Sequence, residues 1–444
     1  MKIAVIGTGI SGLSAAWLLA REHDVTIYEK DAHVGGHSNT VDVDLPDGRV
    51  AVDTGFIVYN PPSYPNLTQL FGQLGVATAE TDMSFSISLD DGRYEYASNL
   101  RGLFAQPGNL ANPDFWSMLS DIPRFFREAR ILADGDGNGN ETLDEFMVRC
   151  GFGRPFIENH LLPMAAAIWS SPTATIRDYP ARSFARFYHN HGLLSLWRRP
   201  QWRTVLGGSR EYVRRLTGSF ADRIRLNTAV ERVHRLPGGV RIEDRQGGVD
   251  SFDHVVLATH ADQALRLLAD VSHSERRILG AFNYSRNVAI LHNDTSLMPH
   301  RRAAWASWNY LSRQGADAER EVCCTYWMNN LQPLPTQTPL MVTLNPNTTP
   351  KDGSVLRSSI YHHPMLDAQA ARMQPMLWQL QGHRRTWYCG SYFGHGFHED
   401  GIQAGLAVAE ALGGRDRPWS VPDGSDRIGV PPLWPQRTQP SIAA

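Results

Sequence analysis

The chain opens with KIAVIGTGISGLSAAWLLAREHDVTIYEKD, and this stretch restricts the possible folds more than any other. Residues 2–6 are a short apolar run of the kind that forms a strand buried in a parallel sheet. Gly7, Gly9 and Gly12 follow as G-x-G-x-x-G, with a helix expected from Ser11 to about Arg21. Gly7 permits a tight turn, Gly9 lets the backbone approach a pyrophosphate, and Gly12 lets helix and strand pack closely. The amides at the helix start, Ser11 among them, then face an anion. A second strand at 25–28 ends in Glu29, placed to accept hydrogen bonds from ribose hydroxyls. Strand, glycine turn, helix, strand and acidic residue in this order specify a dinucleotide site.

Bulk properties narrow the class. At 444 residues the chain has room for two domains. A formal net charge of -2 gives no reason to expect a nucleic-acid partner. The four cysteines (Cys150, Cys323, Cys324, Cys389) have neither disulfide-framework nor zinc spacing. With no leader pattern ahead of the first strand and no apolar run of about 18 residues, a cytoplasmic enzyme is expected.

Beyond the first unit, Lys30-Asp31-Ala32-His33-Val34-Gly35-Gly36-His37-Ser38 adds a glycine pair, and Asp53-Thr54-Gly55-Phe56 follows. Together these resemble the FAD-dependent amine oxidase superfamily, which includes monoamine oxidases, protoporphyrinogen oxidases and phytoene desaturases. The resemblance implies FAD as cofactor, with the glycine pair beside the pyrophosphate and flavin. It also implies cofactor roles for Lys30, Gly36, His37, Ser38, Gly55 and Phe56. His37 stands where most members carry arginine, so the usual charge partner of the FAD phosphates is missing or supplied elsewhere. Residues 204–212 resemble the family's second glycine segment, 224–233 the strand whose Val230 meets the adenine, and 253–260, with Ala258, the strand and turn closing the FAD domain. The implied fold is α/β: a Rossmann-like FAD-binding domain (1–80, 204–274 and 385–444) with an inserted mixed sheet-plus-helices substrate domain (81–203 and 275–384).

Near the C-terminus, 386–391 reads as a strand, 392–400 as a glycine-punctuated loop, and Gly401 as the start of a helix to about Leu412. Such a helix start is ready for an anion. The resemblance places Gly390, Ser391, Gly401 and Ile402 near the cofactor. His395 and His398 lack a third ligand at metal spacing, so no metal is expected and acid/base or orienting roles suit them better. With Tyr59 they are the candidates for polar groups near the reacting atoms. Amine oxidases of the family generally use a lysine near the flavin, but Lys2, Lys30 and Lys351 are the only lysines, and Lys351 sits in a polar turn. Phe397 occupies the position of one aromatic that cages the amine, without a hydroxyl.

The two insertions are rich in aromatics, the first mostly helical and the second with strand-like runs at 287–291, 322–328 and 340–344, which suggests an apolar cavity roofing the flavin. Aromatics and arginines interleave at 183–203, as in membrane-interface segments; a buried helix with an arginine rim fits equally. The segments 52–60 and 162–170 resemble a bacterial subgroup often encoded with cyclopropane-fatty-acid-synthase-like methyltransferases. That resemblance implies hydride abstraction from a lipid-like substrate (a modified fatty acyl chain), a methyltransferase partner and membrane association. Oxidation of a porphyrinogen, polyene or amine is the alternative, and a flavin-stabilised accessory protein binding lipid or a methyltransferase is another. Finally, Asp134, Asp136, Asn138, Gly139 and Glu145 have the spacing of a calcium loop, but Thr142 with Glu145 also forms a capping box, and a polar joint between two helices is the expectation.

Overall fold

The computed structural model describes residues 1–135, 141–169, 173–195, 199–312, 323–365, 367–422 and 424–431. At its centre lies a five-stranded parallel sheet, in spatial order Ile224–Arg225, Asp24–Tyr28, Lys2–Ile6, His254–Leu257 and Thr386–Tyr388. The N-terminal strand is central, and Ile3, Ala4 and Val5 are fully buried, because a parallel sheet covered on both faces needs apolar residues throughout. The first helix, Ile10–Leu19, is buried along its whole length between this sheet and the C-terminal helix, His398–Ala411. The two helices meet through glycines: a Cβ on Gly405 would lie 2.2 Å from the Ser11 carbonyl oxygen, and one on Gly401 2.8 Å from Ile10.

A seven-stranded mixed sheet forms the second layer system, in the order Val355–Met365, Asn283–His292, Met341–Leu344, Cys323–Trp327, Trp308–Ser312, Phe85–Leu89 and Tyr94–Ala97. The first insertion therefore supplies two strands as well as helices, a departure from the mostly helical expectation. Helices Pro113–Asp134, Leu143–Cys150, Leu162–Trp169 and Ala181–Asn190 form an aromatic-cored layer. Phe125 is its hub, touching Phe146, Phe152, Phe156, Phe184 and Tyr188. Strands Thr78–Thr81 and Trp202–Val205 pair with each other, so the 80/81 and 203/204 junctions run through one small sheet.

Thr142 and Glu145 cap the helix Leu143–Cys150 reciprocally, as their spacing requires. Glu145 is thus engaged at a helix end, while 136–140 of the calcium-like spacing lie outside the described residues. In 183–203, Phe184, Phe187, Tyr188 and His191 are buried, and Arg186 is exposed. Among the described residues, no helix is long and apolar enough to cross a membrane.

One buried ion pair joins three elements. Arg235, on the strand Val230–Leu236, reaches Glu275 of the helix His273–Leu279 and Asp270 at 2.7 Å, and the Tyr388 hydroxyl donates to Glu275 at 2.7 Å. Burial raises the Glu275 carboxyl, but Arg235, the Ser272 N–H and Tyr388 outweigh it and hold it at about 2 against an ordinary 4.5. A folded value below the ordinary one contributes stability that is complete above about pH 4.5 and is lost as pH falls toward 2, about 3 kcal/mol over the interval. Glu275→Gln is expected to cost about 3 kcal/mol near neutrality. In denaturant melts, its gap from wild type should close as pH falls through that window; a constant gap would contradict the assignment.

Candidate functional site

The glycine turn has the geometry its sequence requires. Gly7 has φ +105°, open only to glycine without strain, and a Cβ there would also meet the Ala258 carbonyl oxygen at 2.8 Å. Gly12 lies directly over Gly7: a Cβ on it would approach the Gly7 oxygen to 2.0 Å. Gly9 differs, because its φ of −64° and ψ of 172° suit any residue and a Cβ would meet nothing within 4 Å. Space lies open above Gly9, next to a helix start that no side chain caps. The Glu29 carboxylate is buried beside it, accepting the Thr8 N–H at 3.0 Å and the Asp31 N–H at 2.9 Å. Lys30 is exposed, Val230 begins a strand and is nearly buried, and Ala258 follows the strand His254–Leu257.

The second glycine pair closes over this turn. Gly36, at φ +58°, sits with its Cβ position 3.1 Å from the Gly9 Cα. Gly55 packs on His37 so tightly that a Cβ would come within 2.1 Å of the His37 oxygen, and the Phe56 N–H donates to that oxygen at 2.7 Å. Fully buried Asp53 clasps the neighbouring segments: it accepts from Thr40 Oγ1 (2.6 Å), the Ser209 N–H (2.9 Å), the Ser209 hydroxyl (2.8 Å) and Gln332 Nε2 (2.8 Å). Burial pushes its carboxyl up to about 6, opposed by those donors.

His398 joins this region to the C-terminal helix. Its ring stacks on Phe56 (centroids 3.8 Å, 13°), and its Nε2 lies 3.0 Å from both the Ser38 and Tyr212 hydroxyls. Burial, reinforced by His37, brings its pKa down to about 3, so the ring is neutral at physiological pH. The helix begins at His398 and not at Gly401, because the Asp400 carboxylate accepts the Phe397 N–H at 2.8 Å and caps the earlier turn. His398 and Asp400 are therefore helical, where a loop was expected. Gly401 and buried Ile402 back onto the first helix or the core, and Gly390 and Ser391 open the turn that leads to His395.

His395 is lowered to about 4 by burial, then by Arg427 and Arg186. Its ring lies 5.9 Å from Phe187, which stacks at 4.8 Å on Phe397 and contacts Trp169 at 4.7 Å. Trp169, Ile176, Tyr179, Pro364 and Met365 line a small cavity, and Pro364 touches Gly396 in the same turn as His395. Tyr59 stands apart: its ring packs edge-on against Tyr64 and Phe71, and its hydroxyl donates to Thr78 Oγ1 at 3.4 Å.

Two groups of residues escaped the sequence reading. Asp400, fully buried, and Arg427, partly buried, stand 3.9 Å apart near the His395 turn. Asp400 Oδ1, Arg427 Nη1, His191 Nε2 and Asn60 Nδ2 have no hydrogen-bond partner among the described residues, and buried polar atoms of this kind are ordinarily satisfied by ordered water. The acidic pair Glu399-Asp400 at the end of the loop was the available signal. The other group is His260, His362 and His363, which gather around His37.

A covered parallel sheet with an open phosphate-ready glycine turn at its strand ends defines a dinucleotide-dependent enzyme. The sequence model of the flavin containing amine oxidoreductases matches residues 10–355, and the chain belongs to that family. It is an FAD-dependent oxidoreductase. Among proteins of known function, a 45-residue segment is 53% identical to a 4,4'-diapophytoene desaturase of Staphylococcus aureus, covering 10% of this chain and 9% of that one. Solved structures share the fold over nearly the whole chain. They include a CLA-producing fatty acid isomerase from P. acnes (16% identity, 91% of this chain and 96% of that one, TM-score 0.65). Cyclohexylamine oxidase from Brevibacterium oxydans IH-35A superposes similarly (14%, 93% and 99%, TM-score 0.67), as does a putative protoporphyrinogen oxidase from Exiguobacterium sp. 255-15 (15%, 93% and 98%, TM-score 0.62). The residues present fit FAD: the space over Gly9, the uncapped amides and the buried Glu29 are what a dinucleotide needs.

Gly9 and Gly12 separate binding from folding. Gly9→Ala should leave the FAD-free protein within about 0.5 kcal/mol of wild type, since its Cβ meets nothing, yet weaken FAD at least about tenfold. Gly12→Ala should destabilise the fold itself, by about 3 kcal/mol. Flavin fluorescence titration and thermal melts distinguish them, and equal effects on both would contradict the geometry.

Proposed function

We propose that the enzyme oxidises or desaturates a lipid-like substrate, a modified fatty acyl chain, and belongs with the bacterial subgroup encoded beside cyclopropane-fatty-acid-synthase-like methyltransferases. The observation that carries this reading is the chain of apolar rings from the small cavity to the His395 turn: Trp169, Tyr179, Phe187 and Phe397, with Pro364 and Met365. Lysine is absent from that chain; Lys351 is exposed and 3.6 Å from Asp294. An alkyl chain gains about 0.8 kcal/mol per methylene buried against such rings, and Asp367 and Thr175 are the polar residues of the cavity lining.

In this reading Gly7, Gly9, Ser11, Gly12, Gly36 and His37 hold the FAD phosphates, Glu29, Lys30 and Val230 the adenosine end, and Ser38, Gly55, Phe56, Ala258, Gly390, Ser391, Gly401 and Ile402 the remainder. When bound, FAD supplies the two-electron acceptor, and oxygen or another acceptor reoxidises it. Residues 81–203 and 275–384 hold the substrate. Converting a C–C single bond to a double bond releases a hydride equivalent and a proton from neighbouring carbons. His395 takes the proton: its ring is buried and neutral, so its basic form is present throughout the neutral range. His398, fixed by Ser38, Tyr212 and Phe56, orients the turn, and Tyr59 supports the wall behind it. A methyltransferase is the proposed partner, and membrane contact would fall to exposed Arg186 and Arg199 of 183–203, because Phe184, Phe187 and Tyr188 belong to the core.

Anaerobic mixing with lipid extract from the native host should bleach the flavin band, and His395→Ala should slow that bleaching by about 100-fold without loss of bound flavin. The wild-type rate should be flat between about pH 6 and 8, since His395 stays neutral there. No bleaching with any lipid, together with rapid bleaching by an amine, would overturn the acyl reading.

A further inference from the structure

Four imidazoles converge where the parallel sheet faces the edge of the seven-stranded sheet. His37 comes from the glycine-pair turn, His260 from the turn after His254–Leu257, and His362 and His363 from the strand Val355–Met365. The His37 ring lies 5.6 Å from His363 and 6.4 Å from His260, and His260 lies 6.3 Å from His362. Tyr361, 5.1 Å from His37, and Tyr284, stacked 4.3 Å from His260, complete the walls.

This group has no counter-charge. Among the described residues, no carboxylate lies within ion-pair distance of any of the four rings, and the one hydrogen bond to a ring joins His363 Nδ1 and Asn287 Nδ2 at 3.2 Å. The charged and titratable groups facing it are Lys30 beside the second strand, His398 from the C-terminal helix, Arg286, which stands opposite His362 in the strand ladder, Tyr361 and Tyr284. Asp53 and Asp262 act on those tyrosines. Burial and mutual repulsion lower His37 to about 4 and His260 and His363 to about 3. The rings border the glycine turn: Gly36, next to His37, touches Gly9, and Gly7 packs on Ala258 and Thr259, next to His260.

Basic groups crowded together beside an open, amide-lined turn are placed for an anion that arrives from outside. We infer that these histidines are the cationic partner of the FAD diphosphate and take up protons when it binds, so that cofactor affinity depends on pH. The inference rests on family membership and is independent of the acyl reading. Its sign follows from the two states. Without FAD, His37, His260 and His363 are neutral above about pH 4; with the diphosphate alongside, their protonated forms are favoured. Between those two limits binding consumes protons, and affinity falls as pH rises, by up to about tenfold per unit for each proton taken up.

The test is the FAD dissociation constant of the full chain, stripped of flavin, between about pH 5.5 and 8.5. Proton uptake is measured alongside, by calorimetry in two buffers of different ionisation enthalpy. Wild type should bind more weakly as pH rises and should take up protons near neutrality. His37→Gln should weaken binding and flatten the slope. His37→Arg, charged at every pH, should restore affinity while losing slope; a slope that survives it but disappears in His260→Gln or His363→Gln still assigns the proton to this group. A pH-independent wild-type constant with no proton uptake overturns the inference, as does a slope unchanged in all of these variants. Thermal melts of each flavin-free variant separate misfolding from lost affinity, and the wild-type calorimetry needs no variant.

Discussion

The close crossing of the first and last helices is the contact on which the remaining structure depends. Gly401 and Gly405 bring the C-terminal helix against Ile10, Ser11 and Ser14 so closely that a single methyl group at Gly405 would overlap two atoms at 2.2 Å. That approach fixes the start of the last helix beside the glycine turn of the first. Phe397 and His398 follow from it: one faces the aromatic chain of the inserted layer, and the other stacks on Phe56. Without glycine at these places the helices would stand farther apart, at the 8–10 Å typical of side-chain-mediated packing, and the glycine turn and the aromatic layer would not meet at one turn.

Burial then sets the chemistry. His395 and His398 are neutral because desolvation dominates their surroundings, whereas Asp53 tolerates full burial because four donors meet its two oxygens. The same accounting leaves Asp400 and Arg427 incompletely satisfied near the His395 turn, as groups completed by ordered water are. Polar groups therefore stand at both ends of the apolar ring chain: Thr175 and Asp367 at the cavity, Asp400 and Arg427 near the His395 turn.

Much of this was legible in the sequence, and what was not has a physical reason. The strand Lys2–Ile6, the glycine turn and the Thr142–Glu145 capping box are local: each is specified by residues within a few positions of one another. The histidine group is assembled from positions 37, 260, 362 and 363, and the Asp53 clasp from 40, 53, 209 and 332, so no window of sequence contains either. The start of the C-terminal helix was misplaced by three residues because glycine-rich spacing masked the Asp400 cap. Tyr59 reads from the sequence as a polar group near the reacting atoms, and its strand directs the hydroxyl toward Thr78, a partner 19 positions away that local sequence does not show.

The central claim is that an FAD-dependent oxidoreductase of this family acts here on an alkyl C–H centre. Comparative lipid mass spectrometry of cells with and without the gene tests it most directly. The account predicts that acyl chains carrying one additional unsaturation, or an oxidised derivative of a modified chain, disappear when the gene is removed, with their reduced precursors accumulating. Identical acyl profiles in the two strains, alongside a change in amines, polyenes or porphyrins, would contradict it.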